Sequence, residues 1–126
     1  MRAVDTNVLV RLITRGDLRQ TALAEDFLER SAWVSLLALT EAMWVLGSVY
    51  ELTPLQQANG IEMLPSHRQL VLQDRDTVAD ALNHFRAKPA LGFSDCLMLE
   101  LARKAGHLPL GTFDRVLAKL PGPQKL

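Results

Sequence analysis

Short apolar runs alternate with stretches of helical periodicity along this chain. Residues 2–4 read as a strand, residues 7–14 as a short helix, and residues 19–30 as a longer helix with Ala22, Leu23, Phe27 and Leu28 at helical spacing. A second strand follows in AWVSL, then LTEAMWVLGSVY, a helix apolar on nearly every side and therefore expected to be well buried. TPLQQANGIEML begins with Thr53, Pro54 and Gln56, the spacing of a capping box with proline in the first helical position. QLVLQ gives a third strand, and Asp76 is placed to cap a helix that stops near Pro89. SDCLMLELARKAG is a helix with Gly106 as its stop. HLPLGT reads as a fourth strand and FDRVLAKL as a short last helix; PGPQKL, with two prolines, makes a doubtful fifth strand.

Strands separated by helical segments predict an α/β fold, a parallel sheet with helices on both faces. With no repeat, low-complexity tract or linker, residues 1–126 are expected to form a single domain. In such folds ligands bind beyond the carboxyl ends of the strands.

Composition narrows the classes. At 48% apolar and 22% charged residues, the chain has the balance of a soluble globular protein. No apolar stretch approaches the roughly 18–20 residues of a membrane helix, and no signal-peptide pattern opens the chain. The single cysteine, Cys96, cannot form an internal disulfide and reads as a small core residue; a cytoplasmic location is expected. The 14 basic and 14 acidic residues cancel, so any nucleic-acid role rests on a local site rather than on bulk charge.

Four of the acids stand in apolar company, while the others lie in polar stretches that read as solvated faces or caps. Asp5 follows the first strand, Glu41 shares a helix stripe with Leu37, Trp44 and Val45, Asp95 sits in GFSDCLML, and Asp114 follows the fourth strand. Taken singly, Asp5 can be a helix cap, and Asp95 and Asp114 can be first-turn acids on a helix dipole. Glu41 fits neither role, because an unpaired carboxylate buried among large apolar groups is costly. Asp5 and Asp114 fall at the same rim of the expected sheet. If Glu41 and Asp95 lean toward it, four negative charges converge and require a hard divalent cation, Mg²⁺ or Mn²⁺. His67, His84 and His107 are scattered and read as surface or helix-end residues, so zinc is not indicated. A carboxylate-held ion suits phosphate chemistry on monoesters, diesters or nucleotides. The chain lacks both a GxxxxGK[ST] phosphate loop and a GxSxG elbow.

VDTNVLVRL, LTEAMWVL, FSDCLMLELARKAG and GTFD, in this order across the whole chain, resemble the PIN-domain ribonucleases, specifically the VapC-type toxins of bacterial toxin–antitoxin pairs. The resemblance implies a three-layer α/β/α sandwich around a parallel sheet of four or five strands. It implies that Asp5, Glu41, Asp95 and Asp114 bind the metal, that Thr6 or Asn7 shapes the first turn, and that Ser94 and Thr112 hydrogen-bond a carboxylate, a water on the metal or a phosphate. It further implies metal-dependent RNA cleavage leaving 5′-phosphate and 3′-hydroxyl ends, a homodimer, and a cognate antitoxin whose tail covers the site. Arg11 and Arg115 are candidate phosphate contacts, against a reading as ordinary exposed arginines.

Trp33 and Trp44, with Tyr50 and Phe85, read as core residues rather than base-stacking platforms. The AMWVLGSVY and TPLQQANGIEML segments suit either the core or a dimer or antitoxin groove. Two other functions compete: a structure-specific DNA nuclease or small phosphatase on the same metal site, and a non-catalytic PIN-like binding module, against which the presence of all four acids argues.

Overall fold

The computed structural model describes residues 1–126, which divide into two compact units, Met1–Arg75 and Asp76–Leu126. The first contains β1 (Ala3–Val4), α1 (Thr6–Thr14), α2 (Leu18–Leu28), β2 (Ala32–Val34), α3 (Leu36–Ser48), α4 (Pro54–Ser66) and β3 (Leu70–Leu72). The second contains α5, which starts at the boundary (Arg75–Ala87), α6 (Phe93–Ala105), β4 (Leu110–Thr112) and β5 (Pro123–Lys125), with short 3₁₀ turns at Pro89–Leu91 and Leu117–Lys119. The α/β class with parallel strands is as the sequence predicts. The strands are arranged as a three-stranded sheet, β1-β2-β3, and a two-stranded one, β4-β5, all parallel.

In the first unit the strands follow one another in space because each crossover is helical, as parallel pairing requires. Ala3 stands opposite Trp33 and Ala32 opposite Leu70. Val4, Ala32, Val34, Leu70 and Leu72 are buried, while alternate positions such as Trp33 and Val71 lie partly open. Leu9, Leu28, Leu39, Leu46, Ile61 and Leu64 are fully buried and supply the helical part of this core. Serine and aspartate start the helices: Asp17 accepts from the Gln20 amide at 3.0 Å and Ser35 from Ala38 at 3.0 Å. The expected capping box is formed, with the Thr53 hydroxyl accepting from the Gln56 amide and the Gln56 side chain accepting from the Thr53 amide.

Three readings of apolar faces need correction. In α2 the buried residues are Thr21, Ala24 and Leu28, whereas Ala22 and Leu23 are exposed. In α3 the buried face is Ala38, Leu39, Ala42, Met43 and Leu46, and Leu37 and Trp44 on the opposite face are 70% and 68% exposed. Because both faces of α3 are apolar in sequence, periodicity could not choose between them. Trp33, at 37% exposure, is likewise not a core residue; Phe85 is buried and Tyr50 half-buried.

In the second unit Val78, Leu82, Phe85, Leu91, Phe93, Cys96 and Leu99 are buried, and the Phe85 and Phe93 rings meet edge to face at 6.4 Å. Asp76 lies inside the first turn of α5 rather than capping it. Gly106 stops α6 in the left-handed conformation, φ 80°. FDRVLAKL yields only the 3₁₀ turn at Leu117–Lys119 instead of a helix. The doubtful last strand does form. Gly122 takes φ 110°, its carbonyl accepts from the Leu110 amide at 3.0 Å, and the Leu126 amide donates to Thr112 O at 2.9 Å, so the amide that Pro123 lacks is not missed.

One acid was wrongly assigned to the solvated majority. Glu100 is only 7% exposed. Its Oε1 lies 2.8 Å from His84 Nε2 and its Oε2 accepts from Arg103 Nε at 3.2 Å, while Arg103 Nη2 donates to Pro121 O at 2.7 Å. This network fastens α5, α6 and the segment leading into β5 together. The i,i+3 pairing of Glu100 with Arg103 inside an apolar stripe was the available signal.

Removing one side of the capping box by Thr53→Ala is expected to cost about 1 kcal/mol of stability, read as a lower urea midpoint at unchanged m-value.

Candidate active site

In the first unit the chain leaves β1 at Asp5 in an extended conformation and turns at once into α1. Asp5 Oδ1 accepts from the Val8 amide at 3.1 Å, making it the cap of that helix. The cap uses one carboxylate oxygen and leaves the other for a ligand, so capping and ligand binding are compatible at Asp5. Thr6, the first residue of α1, donates its hydroxyl to Glu41 Oε2 at 2.8 Å across the packed α1–α3 pair. This corrects the expectation of a buried Glu41: its side chain is exposed, between Leu37 and Trp44, and is held by a hydroxyl rather than stranded in the core.

A cleft of about 700 Å³ opens beside Asp5, with Asn7 and Arg11 on its polar side and Leu23 and Phe27 on its apolar side. The Arg11 guanidinium is partly committed: Nε donates to Gln20 Oε1 and Nη1 to the Tyr50 hydroxyl at 2.9 Å.

In the second unit Asp95 stands in the first turn of α6, following Gly92 at φ 76°. Asp114 does not open a helix. It closes a turn after β4, where Oδ1 accepts from the Val116 amide at 2.7 Å and the Leu117 amide at 2.9 Å, and its own amide donates to Thr112 Oγ1 at 3.0 Å. Burial, and after it the charge of Asp114, holds the Asp95 carboxyl above its ordinary pKa. Burial, then Asp95, also pushes the Cys96 thiol up to about 11, which makes it an inert core thiol. Ser94 and Arg115 are exposed.

The acids thus come as two pairs, Asp5 with Glu41 in one unit and Asp95 with Asp114 in the other. No group of three or more His, Cys, Asp or Glu side chains is drawn together closely enough to hold a metal ion. The donor chemistry within each pair is all carboxylate oxygen, which fits a hard divalent cation; a positive ion is also what the mutual repulsion of Asp95 and Asp114 calls for.

The PIN-domain family matches residues 2–123, so the match runs through both units and all four acids. The chain belongs to the PIN-domain family. PIN domains are generally nucleases and generally use divalent metal ions. No curated protein matches this PIN domain, and none of its helices is long and apolar enough to cross a membrane.

Two stability measurements separate ligand binding from capping. Asparagine caps as well as aspartate, so Asp5→Asn is expected to keep the melting temperature of the metal-free protein, whereas Asp5→Ala loses about 1 kcal/mol; a large loss in Asp5→Asn would mean that the charge itself holds the helix. Asp95 has the opposite sign. Its raised pKa means that ionisation costs stability, a cost absent below the usual 3.8 and in full force above the raised value. Water screens most of the effect, so metal-free Asp95→Asn is expected to melt only about 1–2 °C above the wild type at pH 7. The gap should close as the pH falls through the carboxylate range.

Proposed function

We propose that this PIN-domain chain is an Mg²⁺- or Mn²⁺-dependent endoribonuclease, the toxin of a toxin–antitoxin pair, with residues 1–126 working as one nuclease domain. The observation that carries the proposal is the Thr6–Glu41 hydrogen bond. It ties a helix acid to the turn that bears Asp5, in a chain whose family is generally nucleolytic. Asp5, Glu41 and Asp95, with Asp114 directly or through water, are the residues that would hold one or two ions. Such an ion would polarise a phosphoryl oxygen and offset the charge that builds there.

The side chains have separate tasks. Thr6 fixes the direction of Glu41, and Thr112 fixes the turn of Asp114 through its backbone amide. Asn7 and Ser94 stand exposed beside Asp5 and Asp95 and hydrogen-bond the phosphate or its waters. Arg115 contacts a neighbouring phosphate, and Arg11 does so with the donors that Gln20 and Tyr50 leave unused. Water attacks phosphorus in line, the P–O3′ bond breaks, and the products carry a 5′-phosphate and a 3′-hydroxyl. The remaining assignments, a homodimer, an antitoxin tail over the acids and a cytoplasmic location, rest on the resemblance of the motifs and on the lone cysteine.

The test sets RNA, single-stranded DNA and a phosphate monoester side by side with Mn²⁺, with Mg²⁺ and with EDTA. RNA cleavage is expected with either metal and not with EDTA, and Asp95→Asn should lower it on the order of 100-fold or more. Cleavage of DNA alone would overturn the RNA assignment. RNA binding without turnover would favour a binding module.

A further inference from the structure

Trp44, expected in the core, lies instead on the open face of α3 at 68% exposure. It is three residues beyond Glu41, and side chains three apart on a helix are surface neighbours, with Cβ atoms about 5–6 Å apart. The chain has two tryptophans, one tyrosine and four phenylalanines. Phe85 and Phe93 are buried, Phe27 and Tyr50 half-buried, and Trp33 only partly open. The two most exposed aromatic residues are Trp44 and Phe113, the latter at 79%. Phe113 is in the other unit and directly precedes Asp114. In each unit, therefore, the most exposed aromatic ring adjoins one of the candidate acids.

A large ring left in water beside a carboxylate has no packing role to explain it. Nucleobases offer flat π-faces, and an exposed aromatic binds them whatever the sequence, provided the bases are unpaired. Duplex bases are already stacked on one another and cannot use such a platform. We propose that Trp44 is a base-stacking residue that holds an unpaired nucleotide beside Glu41. This rests on the nuclease assignment above and names one residue of this chain that contacts the substrate. Leu37, one turn before Glu41 and 70% exposed, extends the apolar strip on the other side of the carboxylate.

The experiment uses the full chain and a fluorescein-labelled, unstructured RNA oligonucleotide, with anisotropy as the binding readout in Ca²⁺ and cleavage read separately in Mn²⁺. Trp33→Phe leaves Trp44 as the only indole, and its emission should be quenched with the same midpoint as the anisotropy change. Trp44→Ala is expected to weaken binding about tenfold, Trp44→Phe to keep most of it, and Trp44→Leu to rescue nothing; duplex RNA of the same sequence should compete poorly. Because the residue is exposed, the melting curves of these variants should match the wild type.

Wild-type affinity in Trp44→Ala or Trp44→Leu overturns the platform. So does a wild-type chain that binds no oligonucleotide. Loss of self-association in Trp44→Ala with nucleic-acid binding unchanged would assign the face to a second copy, and overturns it as well. Cleavage is independent of these results: a wild type that binds through Trp44 but never cuts removes the nuclease assignment and keeps the platform, while unchanged KM and turnover in Trp44→Ala do the reverse.

Discussion

Three of the four candidate acids share one device: one carboxylate oxygen accepts a hydrogen bond from the protein and the other stays outside it. Asp5 Oδ1 accepts from the Val8 amide, Asp114 Oδ1 accepts from the Val116 and Leu117 amides, and Glu41 Oε2 accepts from the Thr6 hydroxyl. Such bonds fix side-chain rotamers before any ligand arrives, so ordering the acids costs little at the moment of binding. Asp95 lacks that restraint and stands instead on the first turn of α6, where burial, and after it the charge of Asp114, raises its pKa above the ordinary carboxylate value.

The same economy explains why the acids sit where they do. A helix that starts directly after a short parallel strand needs a cap, and an aspartate there serves the helix with one oxygen while leaving the other outside the cap. Away from the acids, the Glu100–His84–Arg103 network handles a buried charge conventionally, with both oxygens paired. The contrast is with Asp5, Asp114 and Glu41, which each have one oxygen in a hydrogen bond and the other outside it.

Much of this was legible in the sequence. The element order, the capping box at Thr53 and Gln56, the Gly106 stop and the placing of Asp5, Asp95 and Asp114 at strand or helix ends followed from spacing and turn chemistry. What escaped was orientation. Glu41 and Trp44 are flanked by apolar residues on both sides in sequence, and only the packing of α1 and α4 on one face of α3 shows that both side chains point outward. Glu100 escaped because the partner that pairs its Oε1, His84, comes from another helix, so spacing along α6 shows only half of its network. The last strand was doubtful because two prolines argued against it, and the Arg103–Pro121 bond with the turn at Gly122 supplies what they remove.

The most direct test of the proposal that Asp5, Glu41, Asp95 and Asp114 act on one cation is a double-mutant cycle on Mn²⁺ affinity by calorimetry. The variants are Glu41→Gln from the first unit, Asp114→Asn from the second, and the two combined. A shared site predicts that each single change weakens binding and that the double change is strongly non-additive. Additive effects, or a wild type that takes up no Mn²⁺, would contradict it.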